Sequence, residues 1–270
     1  MKKNFINFLV ILTVVFFYKC SEEDKQKKIV DEPNEEQIET NQTKIFYQIP
    51  SPLETYSFLY YSGVSFFKGN LNDPKNYQRY LTKEKKALNF GVYASNLAYC
   101  VIFQQNNYII DYFNVCKKIA DDLGLLDGFD EKLVISLEKN ITNPDSTYQI
   151  TNNSYFYAVK FLEQRNLSDI IPLVLTGSWI ETVNTISKSI KKFDKKDPLV
   201  KRLIDEQYSL ENLLSIYETF NVAEIYKKYY DILKNLHSFY LQIDNEKGIT
   251  NRDFEKITNE IKKLRAIIIS

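Results

Sequence analysis

The sequence predicts an all-α fold: an irregular bundle or array of antiparallel helices behind a signal peptide and a flexible tether. Three observations carry that expectation. The stretch Lys85–Gly124 keeps a helical period throughout, with Leu88, Gly91, Ala94, Ala98, Val101, Gln105, Ile109, Tyr112, Cys116, Ile119 and Leu123 mostly three or four residues apart. Helix-start signals recur at Ser51-Pro52, Asp73-Pro74, Asn143-Pro144, Asp197-Pro198 and Thr250 with Asp253. Strand-like alternation is short-lived, and no two alternating runs flank an Asn-Gly or Asp-Gly turn. No fixed helical repeat recurs, so a globular bundle is expected rather than a solenoid.

Three regions follow from composition: a signal peptide over 1–19, a lipidated cysteine and acidic tether over 20–48, and one helical domain over 49–270. The first reads MKKNFINFLVILTVVFFYK, with Lys2 and Lys3 ahead of a mostly apolar run from Phe5 to Tyr18. Such a run is too short for a comfortable membrane span and suits the apolar part of a signal peptide. Cys20 directly behind it resembles the acylated cysteine of a bacterial lipoprotein. Phe17, Tyr18 and Lys19 stand where such signals prefer a leucine and two small residues. The segment therefore also fits an uncleaved anchor or an ordinary secretory signal. From Ser21 to Lys44 there is no aromatic side chain, and eight acidic residues face four basic ones. That composition cannot bury enough apolar surface to offset its ordering entropy, so a flexible tether is expected.

Charge excludes one class of partner. The whole chain balances 35 basic against 35 acidic residues; three of the lysines precede the expected cleavage point, leaving 32 against 35. A nucleic-acid partner usually demands a basic face, so none is expected.

The helices are expected in order. Ser51-Pro52-Leu53-Glu54 caps the first, which stops by Gly63. Asp73-Pro74 opens a short one carrying Tyr77 and Tyr80, and Thr82 caps the long run. Unbroken, that run of 40 residues would extend about 60 Å, so a sharp break is expected near Gln104-Gln105-Asn106-Asn107. Leu123-Gly124 ends it with a C-cap glycine. Further helices run from Asp130 to Lys139, from Asn143-Pro144 through Leu162, and from Ser168 through Ile190 with Pro172 in the first turn. A charged linker, Lys191–Lys196, precedes a restart at Asp197-Pro198. Asn221 with Glu224 starts the next helix, to about Ile243, and Thr250 with Asp253 the last.

Candidate chemistry is sparse. One histidine, His237, excludes multi-histidine metal motifs and lacks a nucleophile beside it, so a structural or surface role is expected. Cys100 and Cys116 would lie about 24 Å apart on a continuous helix, and only a fold-back near Asn106 would let them meet; buried free thiols are the expectation. Glu181, Glu163 and Asp169 are the carboxylates a hydrolase would have to use, but nothing in the spacing pairs them. No phosphate loop, zinc-protease, nucleophile-elbow or EF-hand pattern occurs. No metal and no cofactor is therefore expected. Asn89, Tyr93, Asn96 and Tyr99 share one flank of the long helix, where amides and phenols either line a pocket for a sugar or peptide or cross-link neighbouring helices.

The run Lys86-Ala87-Leu88-Asn89-Phe90-Gly91-Val92-Tyr93-Ala94-Ser95-Asn96-Leu97-Ala98-Tyr99 resembles the KALNxGVYxxxLxY segment of an uncharacterised family of exported, helical, lipoprotein-like bacterial proteins. The resemblance continues through Ile49–Glu54, Val115–Leu125 and Thr176-Gly177-Ser178-Trp179-Ile180-Glu181, and departs at Ser95-Asn96, where a small residue and an aspartate are expected. That family has no assigned activity, so the resemblance implies a fold and an address but no catalytic residue. The resulting expectation is an envelope lipoprotein, lipid-anchored to a membrane at Cys20. Its helical domain interacts with another envelope protein or acts as a scaffold. The alternative is a module binding a small polar ligand near Asn89, Tyr93 and Asn96, and a hydrolase using Glu181 or Glu163 comes last.

Overall fold

The structure is a computed structural model that describes residues 51–125, 131–164, 167–220, 224–244 and 246–270. The described residues are helical with no strand. The α-helices are α1 (Pro52–Tyr61), α2 (Lys83–Ile102), α3 (Asn106–Asp122), α4 (Glu131–Asn140), α5 (Pro144–Gln164), α6 (Ile171–Ser189), α7 (Pro198–Thr219), α8 (Lys227–Leu241) and α9 (Asn251–Ile269). Short 3₁₀ turns at Lys68–Asn70, Pro74–Arg79, Ser168–Ile170 and Glu224–Tyr226 join them. The expected signal peptide, Cys20 and tether lie outside the described residues.

Local chemistry sets the boundaries. Thr82 accepts the Lys85 N–H at 3.1 Å and starts α2; Asp197 accepts from Leu199 ahead of Pro198 in α7. At α9 the reciprocal box is complete, Thr250 accepting from Asp253 N–H while the Asp253 carboxylate accepts from Thr250 N–H. Gly63 and Gly124 close α1 and α3 with positive φ, the conformation glycine adopts without steric cost. The break in the long run falls where expected, at residues 103–105. There Gln104 takes φ +53° and the Gln105 N–H reaches back to the Cys100 carbonyl at 2.8 Å. The start expected at Asn221 lies outside the described residues, and Glu224 opens a 3₁₀ turn before α8 begins at Lys227.

Two helices form the hub. α6 buries every residue from Ile171 to Ile186, and α2 buries all of 87–101 except Ala94. The single apolar stripe expected along the long run describes α3 but not α2. The reason is crowding: α1, α3, α5 and α6 all pack on α2, so it has almost no solvent face. α1, α7 and α9 in turn pack on α6, and α8 bridges α7 and α9. The fit between α2 and α6 depends on Gly91 and Gly177, whose missing side chains let the backbones touch.

Candidate functional site

The polar row of α2 points into the protein. Asn89, Tyr93, Asn96 and Tyr99 are all buried. The Asn89 amide donates to the carbonyls of Lys85 and Ile268, each at 3.0 Å, tying the end of α9 to α2. Tyr93 donates its hydroxyl to the Asp73 carbonyl at 2.8 Å. Asn96 accepts the Asn72 N–H at 2.9 Å and donates to Glu181 at 2.7 Å. Tyr99 accepts the Phe67 N–H at 2.9 Å. Tyr93, Asn96 and Tyr99 strap the connection from α1 to α2 onto the flank of α2, with Tyr112 adding a bond to the Asn72 carbonyl at 2.9 Å. The four residues are thus brought together along one helix, engaged with the chain's own backbone and with Glu181. Burial pushes the Tyr93 and Tyr99 phenols above their ordinary range, so neither serves as a base at neutral pH.

Glu181 is the node of this network. It lies on α6 with no exposed surface and pairs with Arg265 of α9, whose Nη2 stands 2.9 Å from Oε1. Arg265 also donates to the Asn70 carbonyl at 3.2 Å. Burial alone would lower the Arg265 pKa; the adjacent Glu181 carboxylate outweighs it, and the net shift is upward. A bidentate pair of this kind fixes three helices and a loop. Its acid is held by Arg265 and Asn96, not presented to a substrate. Beside it, Ser95 links the Tyr56 hydroxyl of α1 at 2.7 Å to Thr182 of α6 at 2.9 Å.

A second buried carboxylate, absent from the sequence expectations, is Glu206 on α7. Trp179 donates its indole N–H to it at 2.9 Å, and Arg202 Nη2 stands 3.0 Å from its other oxygen. Burial raises its pKa, and the Arg202 charge and Trp179 bond oppose the rise. Neither Arg265 nor Glu206 carries a local sequence signal. Each sits on an amphipathic helix among other charged residues.

The remaining candidates are dispersed. Asp169 pairs with Lys83 at 3.0 Å, and the ten residue steps from Ile171 to Glu181 alone separate it from Glu181 by about 15 Å of helix. The Glu163 side chain lies outside the described residues. His237 on α8 is 3.0 Å from Glu211 on α7, joining those helices. Cys100 and Cys116 are buried free thiols, their pKa values pushed far up by burial, so the thiolate needed for reaction is suppressed. No group of three or more metal-binding side chains gathers among the described residues, and none of their helices is long and apolar enough to cross a membrane. A small cavity of about 90 Å³ opens between the α2–α3 turn and the α4–α5 connection, lined by Val101, Gln104, Asn106, Ile109, Thr142 and Thr147 among others. No family model, curated protein or solved structure matches the chain.

Proposed function

We propose that the chain is a bacterial envelope lipoprotein anchored through Cys20, whose helical domain is a non-enzymatic interaction or scaffolding module. The observation that carries the reading is the sequence of its first 48 residues: a basic start, an apolar run, a cysteine and an acidic stretch without aromatics. Several acyl chains on Cys20 would hold the protein to a membrane stably, as one chain alone does not. The domain behind that segment supports the second half of the reading. Its buried carboxylates are held by Arg265, Asn96, Arg202 and Trp179, and the amides and phenols of α2 bond internally. Such a domain offers its outer surface to another envelope protein.

Intact-mass measurement of membrane-extracted protein, beside Cys20→Ala, tests the anchor. The expected mass is that of a chain beginning at Cys20 plus acyl groups, with the increment lost in the variant. A chain retaining residues 1–19, or cut elsewhere and unmodified, overturns the reading. Pull-down from the membrane fraction then identifies the partner.

A further inference from the structure

One end of the bundle carries a surface unlike the rest. Tyr60 and Tyr61 close α1, Phe66 and Phe67 lie in the connection that follows, and Tyr108 lies in the first turn of α3; Tyr60 and Phe66 stand against Phe103 just past the end of α2, Tyr61 against Tyr60 and Tyr108 against Phe66. Ring centroids lie 5.7 Å apart for Tyr60 and Phe103, 6.3 Å for Phe66 and Phe103, and 6.0 Å for Phe66 and Tyr108. The Lys68 ammonium sits 5.2 Å above the Tyr108 ring. Unlike the buried tyrosines of the core, Tyr61 is 86 % exposed, Phe67 62 % and Tyr60 45 %. About one residue in four of the chain is charged (26 %), yet segments 55–72 and 87–110 contain a single charged side chain, Lys68. The exposed neighbours of the rings along the chain are Ser62, Ser65, Gln104, Asn106 and Asn107, all neutral.

We infer that this end of the domain is a lipid-facing surface, resting on the bilayer through Tyr60, Tyr61, Phe67 and Lys68. Tyrosine places an apolar ring and a polar tip where a membrane interface wants each, and an exposed lysine such as Lys68 is drawn to anionic headgroups. A few rings bind a membrane weakly from solution. On a tethered chain, effective concentration supplies what intrinsic affinity lacks, and in this respect the inference rests on the anchor proposed above. Ser51 caps α1, and that helix, 10 residues or about 15 Å long, leads directly to Tyr60 and Tyr61.

Tryptophan placed on the patch tests this. Tyr61→Trp and, as a control, Leu81→Trp are compared in the chain beginning at Cys20. Leu81 is 81 % exposed and stands at the other end of α2, next to the Thr82 cap. The native Trp179 is buried and gives both proteins the same background. Each is attached to vesicles of brominated phosphatidylcholine and phosphatidylglycerol, in one arm by its native anchor and in the other by coupling Cys20 to a maleimide lipid. Cys100 and Cys116 are buried and do not compete for the coupling. The expected result is about a twofold loss of emission from the tryptophan introduced at position 61, with the Leu81→Trp protein unquenched. No quenching at position 61 in the chemically coupled arm, or equal quenching at both positions, overturns the inference and leaves the patch to a protein partner. Quenching at position 61 in the coupled arm with no native acyl chains found keeps the lipid-facing surface and removes the proposed anchor.

Discussion

Gly91 on α2 and Gly177 on α6 let the two hub helices meet backbone to backbone. A methyl group on Gly91 would stand 2.0 Å from the Val174 carbonyl oxygen, and one on Gly177 would stand 1.8 Å from the Leu88 carbonyl oxygen. The obstacle in each case is main chain inside a buried helix, which no rotamer change relieves. Gly91→Ala and Gly177→Ala are therefore expected to lie at or above the upper end of overpacking costs, about 3 kcal/mol. Gly124→Ala gives the contrast. Its φ is +76° with open space around it, so only the left-handed backbone resists a side chain, at about 1 kcal/mol. Urea denaturation of the three variants checks the order; a Gly91→Ala protein as stable as Gly124→Ala would show that the hub helices separate easily.

The Glu181–Arg265 pair makes a different prediction. Glu181→Gln or Arg265→Met each leaves a charge buried without its counter-ion, and about 3–5 kcal/mol of stability should be lost. Glu181→Leu combined with Arg265→Met removes both charges and is expected to recover much of that loss, although the Asn96 amide then lacks its acceptor. A double-mutant cycle by chemical denaturation reads the coupling. Strictly additive losses would mean that the two side chains do not depend on each other.

These two relationships show what the sequence disclosed and what it withheld. Caps and breaks were legible because they are decided within a few residues: Thr82 with Lys85, Thr250 with Asp253, Gly124 at the end of α3, and the turn at Gln104. The amide–phenol row was legible as polar side chains on a buried helix. Its partners were not, since Asn96 meets Glu181 85 residues later and Asn89 meets Ile268 179 residues later. Periodicity reports that a face is covered, not by what. For the same reason α6, enclosed on every side, is as central as the long run that dominates the sequence pattern.

Glu206 should impose a pH dependence. Burial raises its folded-state pKa above the ordinary carboxylate value, so in the interval between the two the folded protein holds a proton that the unfolded chain has released. Stability from this group is therefore present below the unfolded pKa and is lost as pH rises through the folded one. Glu206→Gln carries no titrating group at this position. The stability of the wild type relative to Glu206→Gln should fall as pH rises from about 4 toward neutrality and level off above the folded pKa. Denaturation of both proteins across that range provides the measurement; a wild type that gains on the variant as pH rises would reverse the assignment.

Gln104 is the described non-glycine residue with positive φ, at +53°. Its place in the turn explains the conformation. The N–H of Gln105 bonds to the Cys100 carbonyl at 2.8 Å and that of Gln104 to the Val101 carbonyl at 3.0 Å, the paired bonds that close a helix around a left-handed residue. Glycine takes this position at no steric cost, whereas a side chain adds about 1 kcal/mol of strain. The Gln104 side chain is exposed, so removing it sacrifices little packing. Gln104→Gly is accordingly expected to raise stability by about 0.5–1 kcal/mol, the entropy of the freer unfolded chain taking back part of the gain. Gln104→Val should lower it, since a β-branched side chain resists positive φ more strongly. Thermal denaturation of the pair decides the matter. A Gln104→Gly protein that melts below the wild type would mean that the glutamine side chain itself holds the turn between α2 and α3, beside the small cavity it helps to line.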